Sequence, residues 1–181
     1  MLLHNRKRLR LLGFNYASQR YYFFTIVVKN HSHSFGIIKD KSVNLSTNGI
    51  IAREQWQWLG SQYLYIDLVS FIVMPDHVHG IIYINAGYYM KNCAGDGREA
   101  GKGRDPSLHP QQCFKQNTPR IKPLPELIGA YKTTVSKRIH LAGDLTFGWQ
   151  NSYHERIIRN MNELGMIKHY IETNPERWNG K

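Results

Sequence analysis

An α+β fold, a ferredoxin-like sandwich in which helices pack on an antiparallel sheet, is predicted by three observations. Strand-like apolar runs and amphipathic helical stretches follow one another as strand–helix–strand–strand–helix–strand. A further amphipathic stretch closes the chain as a C-terminal helix. Hydrophobic residues make up 41% of the 181 residues, enough for the core of one ordinary domain and too many for global disorder.

Residues 1–20 read as a basic arm, polar apart from a few leucines, ahead of a single domain at 21–178. Tyr21-Tyr22-Phe23-Phe24-Thr25-Ile26-Val27-Val28 is aromatic and β-branched, the composition of a buried strand. Segments 35–38 and 43–45, joined across 39–42, suggest a small hairpin. Ser46 or Thr47 can cap a helix to about Gly60, with Ile51, Trp58 and Leu59 on one face. Two apolar runs, 63–74 and 77–84, are separated only by Pro75-Asp76 and read as adjacent strands. From about 86 to 123 Gly, Asn, Gln, Pro and Lys dominate, over a span longer than an ordinary connection, so a mobile loop is expected. Leu124, Leu127, Ile128, Tyr131, Val135 and Ile139 then recur at helical spacing, with Lys132, Lys137 and Arg138 on the other face. Segment 153–159 reads as a last strand. Asn160 caps a helix that runs to about Asn174, where Pro175 stops it.

Charge narrows the partners. The formal net charge is +11, and no Asp or Glu precedes Asp40, whereas Arg6, Lys7, Arg8 and Arg10 do. Such a balance favours an anionic polymer, because neutralising phosphates releases their counterions. No run of 18 apolar residues is present, so no membrane-spanning helix is expected. The basic N-terminus has no apolar segment behind it and does not read as a secretory signal. Cys93 and Cys113 lie in polar sequence without a Cys-x-x-Cys spacing, which points to a reducing cytoplasm rather than a disulfide or zinc framework.

His77 and His79 are two apart on an expected strand, so both imidazoles project to one face while Val78 faces the other. Two neutral imidazoles on one face can chelate a divalent cation. Burying them inside an apolar run demands partners, and a metal is one solution. His31 and His33 share the spacing but sit in polar sequence and read as surface residues. On the last helix Tyr170 and Asn174 are i and i+4 neighbours beside the stripe of Leu164, Ile167 and Ile171. Spacing alone leaves Tyr170 as a packing or a reactive residue, and Asn174 as a helix terminator or a ligand. Tyr131 is the rival nucleophile, but its place among Leu127, Ile128 and Val135 makes it a core residue. Tyr21, Tyr22, Phe23 and Phe24 could stack on bases, although strand core is the plainer use.

Met74-Pro75-Asp76-His77-Val78-His79, Trp149-Gln150, His154-Glu155-Arg156-Ile157-Ile158-Arg159-Asn160 and Tyr170-Ile171-Glu172-Thr173-Asn174-Pro175 occur in that order. In that combination the chain resembles the HUH single-tyrosine transposases (histidine, bulky hydrophobic, histidine), and among them the REP-associated branch. The resemblance spans about residues 8–178 apart from the loop at 86–120. It implies that His77 and His79 bind Mg²⁺ or Mn²⁺ and that Asn174 completes the protein ligands, with Glu172 as a fallback. Other branches use Gln there. Imidazole suits Mn²⁺ better than Mg²⁺.

The resemblance further implies that Tyr170 is the nucleophile. A free phenol ionises only near pH ~10, so the reaction needs activation and charge neutralisation at phosphorus. The expected product is a 5′-phosphotyrosine with a free 3′-hydroxyl, which the reverse attack can rejoin. The implied substrate is single-stranded DNA beside a hairpin or palindromic repeat. Arg6, Lys7, Arg8, Arg10, Lys132, Lys137 and Arg138 are the candidate phosphate contacts. A monomer is preferred over a dimer, in the bacterial cytoplasm at the nucleoid. Two other readings use the same residues: a replication or conjugation initiator nickase, which commonly carries a further domain, and a non-catalytic DNA-hairpin-binding protein.

Overall fold

The computed structural model describes residues 13–85, 87 and 120–178. The basic arm with Arg6, Lys7, Arg8 and Arg10, most of the polar segment at 86–123, and both cysteines lie outside the described residues.

Strand β1 (Tyr21–Val27) is followed by a 3₁₀ turn (Lys29–His31) and a hairpin of β2 (Gly36–Lys39) and β3 (Ser42–Leu45). Helix α1 (Thr47–Gln62), β4 (Ile66–Val73), β5 (His77–Ile84), α2 (Leu124–Leu141), β6 (His154–Ile158), α3 (Met161–Glu172) and a 3₁₀ turn (Asn174–Arg177) complete the order. The main sheet runs β4-β5-β1-β6 and every neighbouring pair is antiparallel. The fold is therefore the expected α+β sandwich: two β–α–β crossovers interleave so that β1 lies between β5 and β6.

Alternation along each strand divides the core in two. Tyr22, Phe24, Ile26, Val78, Ile82 and Ile84 face one side, where α1 and α2 cover them with Ala52, Trp56, Leu59, Leu127, Ile128, Tyr131, Val135 and Ile139. Phe23, Ile81 and Ile158 face the other side, against Leu164 and Ile171 of α3. All six apolar positions expected on α2 are buried. On α1 the buried stripe is Ala52, Trp56 and Leu59, while Ile51 and Trp58 flank it half-buried. The shift from the expected face follows from Trp56, whose ring stacks on Phe71 of β4 at 4.5 Å and 9°.

Boundaries are tighter than the apolar runs suggest. β4 begins at Ile66 because Tyr63 and Leu64 belong to the turn after α1. The hairpin turns on Asp40 and Lys41 alone, both at positive φ (50° and 60°), the handedness that two-residue hairpin turns favour. Gly80 is required: Phe24, its cross-strand partner, lays its ring where a Cβ would stand, 2.4 Å from the nearest ring atom. Among the described residues no helix is long and apolar enough to cross a membrane.

Candidate active site

The face that carries α3 also carries every odd-numbered residue of β5 and β1. Register places Thr25 opposite His79 on one side and opposite His154 on the other, and Val27 opposite His77. One row of polar side chains therefore crosses three strands at the end of the sheet where β5 begins. Above it, α3 brings Tyr170 onto His79, and the turn after α3 brings Asn174 and Trp178. These groups, with Val27, His31, Asp76 and Arg177, line a cleft of about 720 Å³. A second groove of about 600 Å³ lies between the β2–β3 hairpin, α1 and β4, and it holds Lys41 and Arg53 but no histidine.

His77 and His79 turn their Nε2 atoms toward each other at 3.1 Å. Each Nδ1 is held from behind: His77 by Asp76 Oδ1 at 2.5 Å, and His79 by Thr25 Oγ1 at 2.8 Å. Burial first, and the adjacent His77 second, push the His79 imidazole down to about 3, so it is neutral at ordinary pH. Burial works to raise the Asp76 carboxyl, but hydrogen bonds from His77 and His31 outweigh it and hold it below the usual carboxylate range.

This donor set fits a divalent cation. Cis ligands about 2.1 Å from an ion at a right angle stand about 3.0 Å apart, close to the spacing of the two Nε2 atoms. Their second nitrogens are occupied, as ligand histidines require for orientation. Among the described residues no group of three or more His, Cys, Asp or Glu side chains forms a metal cage, so a third protein donor has to be of another type. Asn174 supplies an amide in the same cleft. It is buried, at 8% exposure, and among the described residues its side chain makes no hydrogen bond.

Asn174 is not on the helix as the spacing suggested. α3 ends at Glu172, and Asn174 opens the 3₁₀ turn that Pro175 imposes. The fallback ligand Glu172 is exposed and is not part of the cleft wall.

Tyr170 is 41% exposed, and its hydroxyl lies 3.4 Å from His79 Nε2. Its ring stands edge-on to His79 and to Phe23, at 5.3 and 6.4 Å between centroids. Tyr131 is fully buried on the opposite side of the sheet, where its hydroxyl donates to the Ala52 carbonyl at 3.0 Å. Burial raises its phenol well above the ordinary value.

The helix-borne cations are not brought to this cleft. Lys132, Lys137 and Arg138 belong to α2, which covers the other face of the sheet, and Lys132 Nζ is engaged by the Gln150 carbonyl at 2.7 Å. Asp76, His154 and His31 also line the cleft, although the sequence assigned none of them a role there. His31 is a surface residue as read, with its side chain 68% exposed, but it also lines the cleft and contacts Asp76 Oδ2 at 3.0 Å. That contact joins residues 45 apart in sequence, and local patterning carries no signal for it.

No family profile matches the chain. A protein of Haemophilus influenzae Rd described as uncharacterized is 28% identical over 177 residues, covering 97% of this chain and 91% of that one. A Deinococcus radiodurans R1 protein solved as a candidate transposase gives a TM-score of 0.42 at 16% identity, over 90% of this chain and 95% of that one, a likeness too loose to specify a fold. A REP-associated tyrosine transposase bound to a REP hairpin gives a TM-score of 0.53 at 16% identity, over 93% of this chain and 72% of that one. The chain thus shares the fold of a tyrosine transposase.

Proposed function

We propose that the chain is a tyrosine transposase-type enzyme that cleaves and rejoins single-stranded DNA near hairpins. The observation that carries the reading is the meeting of Tyr170 and His79 in one cleft, 3.4 Å from hydroxyl to Nε2, with His77 Nε2 a further 3.1 Å away. His77, His79 and Asn174 would hold Mg²⁺ or Mn²⁺, which when bound supplies Lewis-acid polarisation of a phosphoryl oxygen. Support for a DNA substrate comes from the net charge of +11 and from the hairpin bound by the transposase that shares the fold.

In this reading the Tyr170 oxygen forms a bond to phosphorus as the bond from phosphorus to the 3′ oxygen breaks. The phenolic proton leaves to solvent and a proton reaches the 3′ oxygen, giving a 5′-phosphotyrosine and a 3′-hydroxyl. The reverse attack by a 3′-hydroxyl restores the phosphodiester and returns the phenol. Phe23 and His79 hold the tyrosine ring at its edge-on angle, so the attacking oxygen is positioned before substrate arrives. The α2 cations, on the other face of the sheet, then act away from the reacting centre, and they and the basic arm would contact flanking phosphates. The protein would act as a monomer at the bacterial nucleoid.

The test is a labelled library of single-stranded hairpins incubated with the protein and Mn²⁺. A protein–DNA adduct that survives denaturation is expected, with loss of at least about a hundredfold in Tyr170→Phe and in His77→Ala. Adduct formation that persists in Tyr170→Phe would remove the nucleophile assignment, and cleavage indifferent to EDTA would remove the metal. As a second reading, hairpin binding without catalysis is favoured by the hairpin bound by the transposase that shares the fold. Tight hairpin binding with no adduct under any metal would select it.

A further inference from the structure

Asp76 sits in the turn between β4 and β5, one residue before His77, and is buried at 6% exposure. Each of its carboxylate oxygens meets a different imidazole. Oδ1 faces His77 Nδ1 at 2.5 Å and Oδ2 faces His31 Nδ1 at 3.0 Å. An ionised carboxylate only accepts, so both Nδ1 atoms must be the donors. A neutral imidazole whose proton is on Nδ1 carries a bare lone pair on Nε2. His77 aims that atom at His79, and among the described residues no protein group engages the Nε2 of His31.

The backbone is bent to make this arrangement. Asn30 and His31 both adopt left-handed conformations, with φ of 58° and 53°, which non-glycine residues rarely adopt and which the surroundings must enforce. The enforcing bonds run between the two loops that meet at Asp76. Val28 N–H donates to the Asp76 carbonyl at 2.8 Å, and Phe35 N–H donates to the Pro75 carbonyl at 3.0 Å. The loop after β1 and the turn before β5 are therefore tied together, and the carboxylate lies at the knot.

Resting on the site reading above, we propose that Asp76 is a positioning residue that locks His77 and His31 in one tautomer, so that both offer Nε2 to the cleft. His77 then presents a ready ligand atom to the cation. His31 adds a further imidazole nitrogen to a cleft wall that already carries His77, His79 and His154, available as an acceptor to a cation's water or a substrate hydroxyl.

Two measurements separate this inference from the function it rests on. Long-range ¹⁵N–¹H spectra of the metal-free protein at mildly alkaline pH read each imidazole's tautomer directly. The proton is expected on Nδ1 in both His31 and His77, and Asp76→Asn, whose amide offers one acceptor oxygen instead of two, is expected to move at least one proton to Nε2. A proton on Nε2 of either residue in the unmodified protein overturns the lock, and this holds even if Asp76→Asn fails to fold. Mn²⁺ titration followed by electron paramagnetic resonance is the second arm, with affinity expected to fall about 10–100-fold in Asp76→Asn. A folded Asp76→Asn protein that keeps both tautomers and full Mn²⁺ affinity also overturns the proposal. Correct tautomers together with Mn²⁺ binding no tighter than in His79→Ala would leave the lock standing and remove the metal reading instead.

Discussion

Thr25 keeps His79 usable. A buried imidazole has two nitrogens to satisfy, and the Thr25 hydroxyl takes Nδ1 at 2.8 Å, leaving Nε2 for the cleft. Thr25→Val keeps the shape and removes that partner. It is expected to cost about 1–3 kcal/mol in urea unfolding, because the orphaned nitrogen stays buried, and to weaken Mn²⁺ binding as His79 loses the contact that orients its ring. Tyr131→Phe makes the opposite test. It is expected to cost about 1 kcal/mol through the lost bond to the Ala52 carbonyl, yet to leave adduct formation intact. At this scale the sequence was legible where periodicity spoke. Two residues apart on a strand meant one face for His77 and His79, and a helical stripe meant burial for Tyr131. It was silent on Asp76, His31 and His154, whose roles arise from strand register and from a left-handed turn between distant segments.

Helix α3 carries the candidate nucleophile, so whatever secures its first turn also positions Tyr170. Asn160 Oδ1 accepts from Glu163 N–H at 2.8 Å, and Glu163 Oε2 accepts from Arg159 N–H at 2.8 Å, a reciprocal capping arrangement. Asn160→Ala is expected to cost about 1 kcal/mol in thermal unfolding. The Arg159 N–H is the largest influence lowering the Glu163 carboxyl below its ordinary 4.5, and Arg156, paired with it at 2.6 Å, adds to this. A carboxyl depressed in the folded state stabilises above its unfolded value, and the contribution is lost as pH falls through the folded value. Glu163→Gln should therefore melt below the parent protein at pH 7, and the gap should close as acid takes the pH below the carboxyl's folded-state value. A gap independent of pH would assign the loss to packing rather than charge. The existence and order of the elements could be read from apolar periodicity, while their ends could not. The helix ends at Glu172, and a 3₁₀ turn with Pro175 at its start takes over at Asn174–Arg177, so the i and i+4 relation of Tyr170 and Asn174 fails although both reach the cleft.

The whole molecule separates a packing face from a working face. Two helices fill one side of the sheet around Trp56, Phe71 and Tyr131, while the other side holds a smaller apolar cluster, and its polar row opens to solvent. The first side sets the geometry of the second through β5, where Gly80, the residue after His79, admits the Phe24 ring on the helix-packed face. Gly80→Ala is expected to cost about 1–3 kcal/mol by overpacking and to weaken Mn²⁺ binding by displacing His79, both readable without any DNA. The fold class followed from the element order alone, whereas the placement of α2 on the far side of the sheet from the cleft required the tertiary structure. The central claim, that Tyr170 becomes joined to DNA, is tested most directly by tandem mass spectrometry of the denatured, protease-digested adduct formed with a single-stranded hairpin and Mn²⁺. A nucleotide attached through a 5′ phosphate to the peptide containing Tyr170 is expected. A nucleotide on Tyr131 or on any other residue would contradict it.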